Sequence, residues 1–104
     1  DYFFTVRTWG VTQESSRDVK HDIQDMPDMG EKLDQLRPVT YVYDGDPDEK
    51  KRYGLIYEET EGILPEICSG DEGEKTLNYV EMIPMLLKEI QSLRARVTEL
   101  EGRE

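Results

Sequence analysis

The chain has 104 residues, room for one small domain, and carries 24 acidic against 13 basic side chains for a formal net charge of −11. That balance repels phosphate and no Lys/Arg cluster offsets it, so nucleic acid and anionic membranes are excluded as partners. Hydrophobic and charged residues each make up 36%, a thin apolar supply for a domain that must cover its own core, and oligomerisation is the natural remedy.

Cys68 is alone, so neither an internal disulfide nor a cysteine-rich metal site can form, and a small semi-buried hydrophobe is its simplest role. No Gly-rich phosphate loop, zinc spacing or cofactor motif is present, and neither a metal nor a cofactor is expected. There is no signal-peptide pattern and no apolar run long enough to span a membrane. The chain opens at Asp1 without an initiator Met, which suggests a piece from the C-terminal end of a longer protein.

Tyr2 to Trp9 is aromatic and β-branched with rough alternation and predicts a strand; Gly10 to Ser16 is polar and turn-like. Val19 and Ile23, four apart in a polar stretch, suggest a helical turn over 15–24. A second turn is expected over Gly30 to Gln35, with Leu33 and Leu36 inward, ending before Arg37-Pro38. Pro38 to Tyr43 and Tyr53 to Tyr57 read as an antiparallel pair of strands. The charged Asp-Gly and Asp-Pro loop Asp44 to Lys51 joins them. Glu59 to Ile67 predicts a short acidic helix closing at Leu64-Pro65, with Glu58, Glu59 and Glu61 as a solvated face, and Ser69 to Glu74 a loop.

The last segment starts with a capping-box pattern at Asn78-Tyr-Val-Glu81, and Pro84 kinks the helix or marks its true start. Ile83, Ile90 and Val97 recur every seven residues, as do Leu86, Leu93 and Leu100. These are a and d positions over about three heptads. In that register Glu89 and Arg96 stand at g, with Arg94 and Glu101 at e. Parallel neighbours would pair Glu89 with Arg94 and Arg96 with Glu101, both attractively. The apolar stripe alone also fits a helix packed on its own domain; the matched charges favour a parallel homo-oligomeric coiled coil. Ile or Val at a with Leu at d leans towards two strands, and subunit number must come from elsewhere.

An opening, a middle and a closing stretch, in order, resemble the endosialidase-type intramolecular chaperone domain, an auto-processing domain at the C-termini of phage tail spikes, tail fibres and neck appendages and inside the myelin regulatory factor. Its opening pattern, Ser-Asp-x-x-x-Lys-x-x-Ile, is matched by Ser15, Lys20 and Ile23. Its Leu-x-Pro-Val-x-Tyr strand is matched by Leu36 to Tyr41. Its Gly-Leu-Ile-Ala-Gln-Glu and Leu-Pro-Glu are matched by Gly54 to Glu59 and Leu64 to Glu66. Its close, a Tyr and an apolar-Pro step into a long helix, is matched by Tyr79 to Leu93. Ser16 stands where the pattern has Asp, and Tyr57 and Glu58 where it has Ala and Gln.

The resemblance implies an α+β body of short antiparallel strands and short helices, then a parallel trimeric coiled-coil stalk over 79–103. The homotrimer interface would be Ile83, Leu86, Ile90, Leu93, Val97 and Leu100. Residues 15–104 would form the chaperone and residues 1–14 the end of an upstream fibre client, its covalent partner. It also implies self-cleavage before Ser15, at Glu14–Ser15, in the host cytoplasm during virion assembly, with the client kept in the virion tail. A serine just after the bond it breaks can attack the preceding carbonyl through a five-membered ring, an N→O acyl shift, and Ser–Lys pairs are a known nucleophile–base arrangement. Ser15 is then the nucleophile and Lys20 the general base, with His21 the competing base. The alternatives are a permanent, non-cleaving trimerisation domain and the auto-processing module of a membrane-tethered transcription factor.

Overall fold

The computed structural model describes residues 7–103. In chain order these form α1 (Gly30–Gln35), β1 (Val39–Tyr41), β2 (Arg52–Gly54), α2 (Tyr57–Glu61), β3 (Cys68–Ser69), β4 (Thr76–Leu77) and α3 (Met82–Glu101). Single 3₁₀ turns stand at Arg17–Val19, Pro65–Ile67 and Tyr79–Glu81. The class is the expected α+β, with two antiparallel two-stranded sheets and a long C-terminal helix. The strand expected over 2–9 falls mostly outside the described residues, and its described end, Arg7 to Trp9, has no strand.

The β1–β2 hairpin sets Thr40 opposite Tyr53. Its charged loop is organised by Asp46, whose carboxylate accepts from the Asp48 amide at 3.0 Å and the Lys50 amide at 3.1 Å. Both strands are shorter than the sequence predicts. At Leu55 the backbone N–H goes to the Tyr79 hydroxyl at 3.0 Å instead of to a strand. Tyr57 already begins α2, where Glu58 and Glu59 sit in the first turn and favour the helix start. The expected helix over 59–67 is likewise broken: α2 ends at Glu61, and Pro65 opens a separate 3₁₀ turn.

The predicted loop after Ser69 is a second hairpin, β3–β4. Gly70 turns it at φ +104°, a conformation that favours glycine, and a Cβ there would strike the Glu74 carbonyl. At Asn78 the capping box does not form, since the side chain makes no cap hydrogen bond. A 3₁₀ turn leads in instead, and Pro84 falls in the first turn of α3, where a missing N–H costs little.

Among the described residues only Met29, Leu64, Ile67 and Thr60 are buried. Around them pack Met26, Leu33, Leu36, Ile63, Cys68, Leu77, Met82 and Met85, so the core lies between α1, α2, the second hairpin and the start of α3. Cys68 is half-buried, its Sγ donates to the Leu64 carbonyl at 3.7 Å, and burial pushes its thiol up. The accessible surface is 9642 Å², where a self-contained monomer of 12.2 kDa would show roughly 6,000 Å². The radius of gyration is 17.6 Å against about 13 Å for a compact chain of this length. The chain thus carries much open surface around a small core.

Candidate functional site

Ser15 and Lys20 are brought together by one tight turn. Ser16 is its N-cap, extended at φ −63° and ψ 145°, and the Ser16 Oγ accepts from the Asp18 amide at 3.1 Å. The turn is closed by Val19 N–H to the Ser16 carbonyl at 3.1 Å and Lys20 N–H to the Arg17 carbonyl at 3.3 Å. Lys20 therefore returns over Ser15, and its Nζ donates to the Ser15 Oγ at 2.5 Å. Past the turn, Asp22 adopts φ +55°, tolerable for a short polar side chain, and redirects the chain. Among the described residues no hydrogen bond links His21 to Ser15.

Position 16 holds Ser where the resembling pattern has Asp, and both residue types cap turns of this kind, so the departure keeps the local geometry. Glu58 sits on α2 and pairs with Lys75 at 2.9 Å, while Glu59 makes a two-pronged pair with Arg37 at 2.8 and 2.6 Å. Hydrogen bonds from Lys75 and Arg37 hold these carboxyls below their ordinary range. The acidic face of α2 is thus solvated yet stapled at two points. Residues 14–24 are exposed, with Val19 60% and Ile23 53% exposed beside Ser15 and Lys20.

The second feature is the long helix. On α3 the side chains of Met82, Met85, Lys88, Glu89 and Ser92 are half-buried, with Met82 and Met85 packed against the core. The a and d positions Ile83, Leu86, Ile90, Leu93, Val97 and Leu100 are 47–63% exposed, and Leu87 at e adds to them. One side of the helix is thus used by its own chain, and a continuous apolar stripe is open. At its upper end the stripe runs into a groove of about 570 Å³ lined by Val39, Tyr53, Leu55, Tyr79, Met82 and Leu86. The sequence pairs Glu89 with Arg94 of a neighbour; within the single chain Glu89 lies on the side of α3 that faces the body. Glu89 turns onto its own body, its Oε2 enclosed without a hydrogen-bond partner, and a Cβ on Gly30 would lie 3.0 Å from it.

The roles of two residues that organise this region were not read from the sequence. The cap at Ser16 had a visible signal, a serine two residues before the amide it receives. Tyr79 matched the closing pattern, but nothing in the sequence pointed to its partner. Its hydroxyl accepts from Leu55 N–H and donates to the Leu55 carbonyl at 3.4 Å, across 24 positions, latching the start of α3 to the first hairpin. Gly54 makes room for it, since a Cβ there would meet that hydroxyl at 2.6 Å. Among the described residues no group of His, Cys, Asp or Glu is placed to hold a metal ion, and no helix is long and apolar enough to cross a membrane.

Residues 15–68 match a family of peptidases described as chaperone of endosialidase. No curated protein matches the chain. The matched segment starts on Ser15 and takes in the capped turn, the first hairpin, α2 and the buried Leu64 and Ile67.

Proposed function

Since this chain belongs to the chaperone-of-endosialidase family, we propose that it is a homotrimeric intramolecular chaperone that assembles an upstream tail fibre or spike and then cuts itself off. Residues 1–14 are read as the end of that client and residues 15–104 as the chaperone. The observation that carries the cleavage reading is the 2.5 Å contact between Lys20 Nζ and Ser15 Oγ. A nucleophile and its base at hydrogen-bond reach, directly after a peptide bond, is the arrangement an N→O acyl shift requires.

In that reaction Ser15 Oγ attacks the Glu14 carbonyl carbon as its proton passes to a neutral Lys20 amine. The C–N bond breaks, Lys20 returns the proton to the departing Ser15 nitrogen, and an ester joins Glu14 to Ser15 Oγ. Water opens the ester, leaving a carboxylate on Glu14 and a free amine on Ser15. A lysine serves as a base near neutrality only when withdrawn from water or set beside other cations. In one chain the turn is exposed, so the cover must come from assembly, and cleavage follows trimerisation. That order suits fibre assembly, because three chains are held in register while slow non-local pairing proceeds, and removing the clamp afterwards traps the product.

The test is intact mass of the 104-residue chain over time. Cleavage should release residues 1–14 and leave Ser15 as the new N-terminus, faster as pH rises because the neutral amine accepts the proton. Ser15→Ala should give an uncut trimer. Lys20→Ala should stop cleavage, Lys20→Arg should not restore it because a guanidinium stays protonated, and His21→Ala should cut at nearly the normal rate. Cleavage that survives Ser15→Ala, or falls at another bond, overturns the mechanism. A wild-type trimer that never cuts instead makes this a permanent trimerisation domain.

A further inference from the structure

The neighbouring serines Ser15 and Ser16 do different work. Ser15 Oγ receives Lys20 Nζ at 2.5 Å, while Ser16 Oγ is committed to the Asp18 amide at 3.1 Å. The 3₁₀ turn that follows, Arg17–Val19, is three residues long and contains no buried residue. Val19 is 60% exposed, and residues 14–25 are exposed throughout. No packing therefore holds this turn in the single chain. Its shape rests on two backbone hydrogen bonds and the Ser16 cap. Lys20 reaches the nucleophile through a long, freely rotating side chain, so the direction of its backbone decides how often Nζ arrives.

We propose that Ser16 is a positioning residue for self-cleavage: its cap on the Asp18 amide sets the turn that aims Lys20 at Ser15. The inference rests on the cleavage reading above, with Ser15 as nucleophile and Lys20 as base. Ser16 never touches the scissile carbonyl in this scheme. It orders the turn before assembly covers it, so that the covered site starts with its two reacting groups in register. The chemistry demanded at position 16 is a short side chain with an acceptor oxygen, which Ser, Thr, Asn and Asp all supply and Ala does not.

Cleavage kinetics of the 104-residue chain, read by intact mass, test this. Ser16→Ala should cut roughly three- to tenfold more slowly, the usual effect of losing one cap. Ser16→Asn and Ser16→Thr should cut near the wild-type rate. The pH at which the rate rises should be the same in Ser16→Ala as in wild type, because the base is unchanged, and sedimentation should show the same assembly. A wild-type rate in Ser16→Ala, or equal slowness in Ser16→Ala and Ser16→Asn, overturns the proposal while leaving the Ser15–Lys20 reading intact. Loss of cleavage in Ser15→Ala together with normal cleavage in Ser16→Ala separates the two claims. The cap is also read without any cleavage, in the uncut Ser15→Ala protein by amide hydrogen exchange. There the Asp18 amide should be protected and should lose that protection on adding Ser16→Ala. An Asp18 amide that exchanges equally fast in both proteins refutes the cap even if the chain never cuts.

Discussion

Truncating Ile90 tests the assembly face most directly. In the single chain Ile90 is 54% exposed, so about half of its side chain remains to be buried by a neighbour. Full burial of an isoleucine contributes about 1.5–3 kcal/mol, and the remaining half therefore about 1 kcal/mol per copy. Across three copies that is about 3 kcal/mol, or roughly a hundredfold in the trimer dissociation constant. Ile90→Ala should shift the concentration at which trimers dissociate by about this factor, and Ile90→Asp should go further by burying a charge at the seam. Sedimentation across a dilution series reads both, with Ala95→Asp as a control on an exposed position off the seam. If wild type is a monomer at every concentration, the stripe is not an interface between copies. If Ala95→Asp dissociates the protein as strongly as Ile90→Asp, the heptad register is wrong.

The other predictions concern the body and the charges. Leu64 is fully buried, so Leu64→Ala should destabilise the fold by about 2–5 kcal/mol in urea unfolding, and little change would mean that the small core is not what holds the body. Arg37 holds the Glu59 carboxyl below its ordinary value, so the pair adds stability above the unfolded carboxyl range of about 4.3, lost as pH falls through the lower folded value. The melting temperatures of wild type and Glu59→Gln should accordingly differ at neutral pH and converge in acid; a gap that persists in acid has another source. Arg96→Glu should weaken the stalk, and adding Glu101→Arg should restore it with a coupling of about 0.2–1 kcal/mol, whereas no coupling would mean that the helices are not parallel in this register.

The local chemistry of the chain was legible in its residues. Heptad spacing placed a long helix with an apolar stripe, Pro84 marked its start, and Arg37-Pro38 and Leu64-Pro65 set boundaries, because periodicity and proline act over a few residues. Ser15 and Lys20 were singled out by the family resemblance and not by their spacing, which is common in any sequence; the structure shows one turn bringing them into hydrogen-bond reach. Strand ends and the second hairpin were not legible. Leu55 leaves its strand because a tyrosine 24 positions away takes its N–H, and the Gly70 turn depends on the Glu74 carbonyl it faces. The two sides of α3 divide along the same line. Heptad spacing marks an apolar stripe, but packing of Met82 and Met85 on the core decides which side the chain itself uses, and encloses a Glu89 oxygen there. Which side of a helix is used at home is set by contacts distant in sequence, and only the tertiary structure brings those together.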